Sequence, residues 1–182
     1  TVIFNDCTFE NNHSPVSGGA FGYDSSERLK AVELEFKGCT FTHNSCEGSG
    51  GACHFATKKT VKLEGCHFVD NTAESSHAVT GGGAIEFYAS VELATIIDCT
   101  FDNCKSSKGS FIYTNGAVRG FDVRDCKFEN LVGTYSSSVH LDVDSSAKTF
   151  IFENNDFINL ECSGEYGGSG LHIGTGRDCE VT

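Results

Sequence analysis

Six side chains equipped for carbohydrate chemistry fall within one short span: Asp122, Arg124, Asp125, Asp142, Asp144 and Lys148. Paired carboxylates beside a cation are what lyases and glycosidases use to move protons or to hold a divalent ion. Asp122 and Arg124 flank Val123, and Asp142 lies between Leu141 and Val143, so alternation turns all three away from an apolar interior. Alternation puts polar residues there without any chemistry as well. The chain holds no Asn-Thr-Asp, Asp-Asp or Gly-His-Gly run and no Arg-x-Pro-x-x-Arg run. The residues therefore argue for a protein that is not an enzyme, with carbohydrate binding or cleavage as the alternative.

Three histidines form a second set. His54, His140 and His172 share one outward position of successive segments, with Gly22, Glu86 and Ile112 at that position elsewhere. His140 and His172 fall in neighbouring segments, where they could share a divalent metal or repel on protonation near pH 6. Exposed histidines on a solvated face are the plainer reading, and no cofactor is expected.

The elements that would position these groups come from a repeat. Cys7-Thr8-Phe9, Cys39-Thr40-Phe41, Cys66-His67-Phe68, Cys99-Thr100-Phe101 and Cys126-Lys127-Phe128 are near-copies, and Asn155-Asp156-Phe157 is a degenerate sixth. Their steps of 32, 27, 33, 27 and 29 residues are those of a solenoid or propeller unit. Three residues before each copy stands Phe4, Phe36, Leu63, Ile96, Val123 or Phe152, and a further apolar pair follows a small-residue step such as Gly50-Gly51-Ala52 or Gly82-Gly83-Ala84. Each unit is thus three short alternating segments bounded by turn formers, the mark of half-buried strands. A propeller blade needs four strands and about 40 residues. The expectation is one all-β domain over 1–182, a right-handed parallel β-helix of about six coils with three strands each, at 1–31, 32–59, 60–92, 93–119, 120–148 and 149–182. At about 4.8 Å per coil its length is about 29 Å.

In that stack Phe9, Phe41, Phe68, Phe101, Phe128 and Phe157 form a central ladder, with Cys7, Cys39, Cys66, Cys99 and Cys126 in an adjoining inward column. Neighbouring Cα atoms there lie within disulfide range, but parallel side chains do not converge, so this column reads as packed thiols. Cys46, Cys53, Cys104, Cys162 and Cys179 break the repeat and are the better disulfide candidates. Ten cysteines in 182 residues point to an oxidising, extracellular or cell-surface setting. Asn12, Asn44 and Asn71 share a turn position, where amides stack or simply tolerate a left-handed turn. Asn12-His13-Ser14 is a glycosylation sequon, and Asn44-Ser45-Cys46 a weak variant. Polar insertions at 23–30, 72–80 and 163–168 have the character of projecting loops.

A net charge of −12 sets the chain against nucleic acid and anionic membranes, and no run of 18 apolar residues offers a membrane span. The chain begins inside a strand pattern and ends at Cys179-Glu180-Val181-Thr182, which reads as a mature product or an excerpt of something longer. A copy following directly would place its Cys-x-Phe 34 residues after Asn155, close to the observed steps, which makes head-to-tail stacking on itself or on flanking coils an expectation.

Two signatures resemble a known family. Phe-x-x-Asn (Phe9 to Asn12, Phe41 to Asn44, Phe68 to Asn71) and Gly-Gly-Ala-apolar (Gly18 to Phe21, Gly50 to Cys53, Gly82 to Ile85) look like the repeats of the polymorphic outer-membrane proteins. Those are surface adhesins and autotransporter passengers with a pectin-lyase-like β-helix. Three coils carry both signatures. The resemblance implies an extracellular structural protein, a surface rod or filament subunit, with surface glycans or a host protein as further partners. It covers only a passenger-like region, so it does not imply an autotransporter mechanism.

Overall fold

The computed structural model describes residues 1–24, 31–74, 81–88, 91–115, 118–133, 138–143, 149–162 and 169–175. Of the expected loops at 23–30, 72–80 and 163–168, residues 25–30, 75–80 and 163–168 lie outside the described residues, as do Asp144, Lys148 and Cys179, whereas Tyr23, Asp24, Thr72 and Ala73 belong to strands.

Three parallel sheets, each six strands deep, wind the chain into a right-handed β-helix with five coil-to-coil steps. The first sheet stacks Val2–Asn5, Leu34–Lys37, Thr60–Glu64, Leu93–Ile97, Gly120–Arg124 and Thr149–Glu153. The second stacks Thr8–Glu10, Thr40–Thr42, His67–Val69, Thr100–Asp102, Lys127–Gly133 and Asp156–Cys162. The third stacks Phe21–Asp24, Cys53–Ala56, Ile85–Tyr88, Ile112–Asn115, Val139–Val143 and Leu171–Thr175. Pairing keeps the repeat in register, with Phe9 on Phe41, Phe41 on Phe68, Phe68 on Phe101, Phe101 on Phe128 and Phe128 on Phe157. Their rings stack at centroid distances of 4.7, 4.7, 4.9, 4.9 and 4.9 Å, the inter-strand spacing itself.

Three strands per coil is an undercount for the first half. His13–Ser14, Ser45–Cys46 and Thr72–Ala73 make a short fourth sheet, and the asparagine column explains why. Asn12 donates through Nδ2 to Asn44 Oδ1 at 2.9 Å, and Asn44 likewise to Asn71 Oδ1 at 3.0 Å. The same Oδ1 atoms accept from the backbone N–H of the coil before, at 3.1 and 3.0 Å. These amides consume backbone donors that a continuing strand would use, so the chain turns. Leu131 and Leu160 at this position offer no such acceptor, and there the second-sheet pairing resumes past the left-handed Asn130 and Asn159, joining Leu131 to Leu160, so these strands reach seven residues.

Of the two readings of this column, the stacked amides hold and the left-handed turn belongs one residue earlier. Asn11, His43, Asp70, Asn103, Asn130 and Asn159 take φ between 49° and 58°. A second left-handed corner precedes the Cys column at Asp6, Gly38, Gly65, Asp98, Asp125 and Asn154. Asn, Asp and Gly are the residues that accept this conformation at low cost.

The disulfide candidates require correction, because Cys46, Cys53, Cys104 and Cys162 are free thiols. They stand in four different columns: the short sheet, the third sheet, the asparagine position and the tail of the second sheet. Parallel columns hold their side chains apart, and Cys46, Cys53 and Cys104 fill inward slots as small apolar groups,. Burial pushes the Cys46 thiol up to about 11 and the Cys104 thiol up to about 12. All five members of the Cys column are free as well. Asn44 is wholly buried, which closes its weak sequon in the folded chain, whereas Asn12 is exposed with Nδ2 engaged in the ladder. Among the described residues Ser110 Oγ is the buried side-chain oxygen without a partner, and no helix is long and apolar enough to cross a membrane.

Candidate functional site

Among the described residues, the members of the cluster suggested by spacing, Asp122, Arg124, Asp125 and Asp142, do not all come together. Asp122 and Arg124 are outward neighbours on the first sheet, where Arg124 Nε donates to Asp122 Oδ1 at 2.6 Å and Nη1 bonds Glu153 on the next coil. Asp125 occupies a left-handed corner. Asp142 belongs to the third sheet, a different face of the rod. Alternation had marked each as outward without saying toward which side, and the sides differ.

The third sheet instead builds a polar column of its own. Register places Gly22, His54, Glu86, Tyr113, His140 and His172 in one outward row. Tyr113, not Ile112, fills the fourth coil. Gly109 is the counterpart of the left-handed Gly82, which puts Ile112 inward beside Ile85 and leaves Phe111 in the slot of Ala84. The left-handed glycine is the signal that locates Tyr113 in the sequence.

Although the row faces outward, it is largely shielded. Glu86 is 3% exposed, and its Oε2 lies 2.6 Å from His54 Nδ1. A carboxylate taken out of water needs a partner of this kind. Tyr113 is buried between Glu86 and His140. That burial, with Asp142 and Glu86 adding negative potential, pushes its phenol up to about 12. His140 is 6% exposed, against the expectation of exposed histidines on this face. Its Nε2 lies 3.3 Å from Asp142 Oδ1, and its ring stacks on His172 at 4.6 Å. The His140 hydrogen bond holds the Asp142 carboxyl below its ordinary range. Burial, with His140 beside it, depresses His172.

One end of this row opens into a cleft of about 510 Å³, lined among others by Tyr23, Ser49, His54, Glu86, Tyr88 and Asn115. Tyr88 presents its ring there at 47% exposure. A shielded His–Glu pair can hold or pass a proton, and an exposed aromatic ring can seat the apolar face of a polar ligand. For the metal candidates His140 and His172, their rings lie face to face with Asp142 against one of them. Among the described residues no group of three His, Cys, Asp or Glu side chains is placed to hold an ion.

The Cys column is the other concentration of reactive groups. Each thiol points at the carbonyl two residues back, from Cys7 Sγ to Asn5 O at 3.3 Å through Cys126 Sγ to Arg124 O at 3.1 Å. Cys39, Cys66 and Cys126 also reach a carbonyl of the preceding coil, each at 3.5 Å. Asn155, in the same column, does this with its amide to Val123 O, and Cys104 replaces Asn in the asparagine column with a longer contact to Phe68 O. Cys and Asn thus exchange as inside-corner residues whose polar hydrogen meets a carbonyl one coil away.

The model of the right-handed β-helix region matches residues 1–182. Neither the curated proteins nor the solved structures supply a match. A single coil plan repeated through three registered parallel sheets, and a family match spanning the same residues, lead to one conclusion: the chain belongs to the right-handed β-helix family.

Proposed function

We propose that this β-helix is an extracellular structural protein, a rigid rod or filament segment that stacks coil on coil and adheres through its side faces. The observation that carries the reading is the core ladder, which stays in register through all six strands of the second sheet. Val2 is 41% exposed, while Leu34, its partner one coil on, is 2% exposed. Phe157 is 37% exposed and Phe128 above it wholly buried. A further coil, from a second copy or from flanking chain, would complete both columns and pair the outer strand edges. Outward charges on the first sheet are largely self-paired, as in Lys62 with Glu64 at 2.7 Å, and on the second sheet Lys127 pairs with Glu129 at 2.8 Å. That suits a hydrated exterior. The surface location rests on the likeness to polymorphic outer-membrane repeats, since the described cysteines are thiols and lend no weight to an oxidising compartment. The test is the concentration-dependent mass of the purified chain by sedimentation, with Val2→Lys and Phe157→Lys as edge-blocking variants. Growth in mass that both variants abolish supports stacking; a monomer at every concentration overturns it.

A second reading, a carbohydrate-binding or carbohydrate-cleaving module, is favoured by the cleft, where the shielded Glu86 carboxylate and His54 sit beside the exposed Tyr88 ring. Retention on a glycan array, or release of reducing or unsaturated sugar ends, lost in Glu86→Gln would support it. No retention and no release would leave the structural role alone.

A further inference from the structure

Five thiols on five successive coils make an arrangement that the rod reading does not use. Register puts Cys7, Cys39, Cys66, Cys99 and Cys126 directly over one another, because the residues that follow them pair one to one: Thr8 with Thr40, Thr40 with His67, His67 with Thr100 and Thr100 with Lys127. Every one of the five Sγ atoms meets the carbonyl two residues back, at 3.1–3.5 Å. Five side chains making the same contact share one orientation, so consecutive sulfurs are separated by one coil step. The neighbouring phenylalanine ladder measures that step as 4.7 to 4.9 Å.

This separation is far longer than a disulfide bond of about 2.05 Å. It is close to two metal–thiolate bonds in line, taking the zinc–thiolate length of about 2.3 Å as the scale. Zinc needs three or four converging ligands, and no such group exists among the described residues. A soft monovalent d10 ion accepts two thiolates, and soft sulfur ligands are those that select Cu(I). We propose that the column Cys7–Cys39–Cys66–Cys99–Cys126 is a binding site for soft monovalent cations, Cu(I) or Ag(I), each held in line between the sulfurs of two successive coils.

A sulfur that carries its side chain and one ion cannot take a second ion straight opposite the first, because two metal–sulfur bonds on one thiolate are bent, so the filled gaps alternate. Two ions then pair four of the five sulfurs. Each displaces one thiol proton to solvent, which keeps every sulfur–metal–sulfur pair neutral, as a dry interior requires, and no electron is transferred. The carbonyls that lose an S–H contact keep their backbone partners: Lys37 O accepts from Asp6 N, Ile97 O from Gly65 N and Arg124 O from Asp98 N. Cys7 is half-buried and gives access at the first coil. Cys46, Cys53, Cys104 and Cys162, alone in their columns, lack a sulfur one step away.

The test loads the reduced full chain with silver nitrate, or with Cu(I) in acetonitrile, washes with glutathione and counts retained metal after gel filtration. The column should retain two ions. Cys39→Ala, which leaves Cys7 without a neighbour, should lose one; the double variant Cys39→Ala with Cys99→Ala, in which no two sulfurs lie on neighbouring coils, should retain none; Cys126→Ala and Cys162→Ala should lose none. X-ray absorption of the loaded protein should show two sulfur neighbours per ion. Equal retention in all four variants, three sulfur neighbours per ion, or a loaded chain with an unfolded elution volume and circular dichroism would each overturn the site. Should the double variant fail to fold, the contrast of Cys39→Ala with Cys126→Ala still decides.

Discussion

Truncating Phe68 probes the ladder in its sealed middle. The ring is wholly buried, 4.7 Å from Phe41 and 4.9 Å from Phe101, with interplanar angles of 1° and 4°. Phe→Ala changes in cores cost about 3–5 kcal/mol. The strands on either side are held in register by their own ladders, so they cannot close over the vacated space, and the upper part of that range, about 4 kcal/mol, is expected. Phe157 in the last coil makes the control. It is 37% exposed and stacks on Phe128 from one side, so Phe157→Ala should cost about 2 kcal/mol, roughly the burial value of a single partly covered ring. For a chain of this size each kcal/mol moves Tm by about 2–4 °C. Thermal unfolding followed by circular dichroism should then show Phe68→Ala about 8–16 °C below the parent and Phe157→Ala about 4–8 °C below it. Equal losses, or a parent-like melt for Phe68→Ala, would refute the continuous ladder.

Three other outcomes follow from the same geometry. Asn44 accepts from Asn12 and donates to Asn71 Oδ1 and Phe9 O within the buried column, so Asn44→Ala should cost about 1–3 kcal/mol in a denaturant titration. Asn44→Cys, the residue that Cys104 supplies in that column, should cost less. A Cβ on Gly51 would overlap the Gly83 carbonyl oxygen and the Thr72 backbone, whereas one on Gly22 has Ser17 O as its nearest neighbour at 3.7 Å; Gly51→Ala should prevent soluble expression and Gly22→Ala should express and melt like the parent. Acid should weaken the fold in two steps. His172, which faces His140, Asp142 and Lys108, has its proton affinity lowered by burial and by His140. The unfolded chain therefore takes up more protons below its ordinary value of about 6.5, and stability falls from there as pH drops. The Asp142 carboxyl, held low by His140, contributes stability that is present above about 3.9 and lost as pH falls through its lower folded value. Tm measured from pH 8 to 2 should decline from about 6.5 downward and again below about 3.9. Retaining the whole decline in His172→Gln would contradict the assignment.

The fold was legible because one coil is written six times. Cys-x-Phe and the apolar residue three before it supply the period, and strand alternation converts that period into stacked sheets. The fourth short sheet was hidden because its strands are two residues long, below what alternation can reveal. Its signal was the asparagine column, which withholds a backbone donor at the corner. The disulfide reading went astray at Cys46, Cys53 and Cys104 because a count of cysteines says nothing of direction, and parallel inward columns keep such side chains apart. The polar row was half visible: His54, His140 and His172 align by sequence, but Tyr113 required the phase set by Gly109. That the row is shielded, with Glu86 paired to His54, depends on coil-to-coil packing that no single repeat contains.

Electron microscopy of the purified chain, with and without reducing agent, tests the central claim most directly. The stacked-rod account predicts thin fibres with an axial repeat near six coil steps, about 29 Å, unchanged by reduction because the described cysteines are free thiols. Discrete monomers under both conditions, at every concentration, would contradict it.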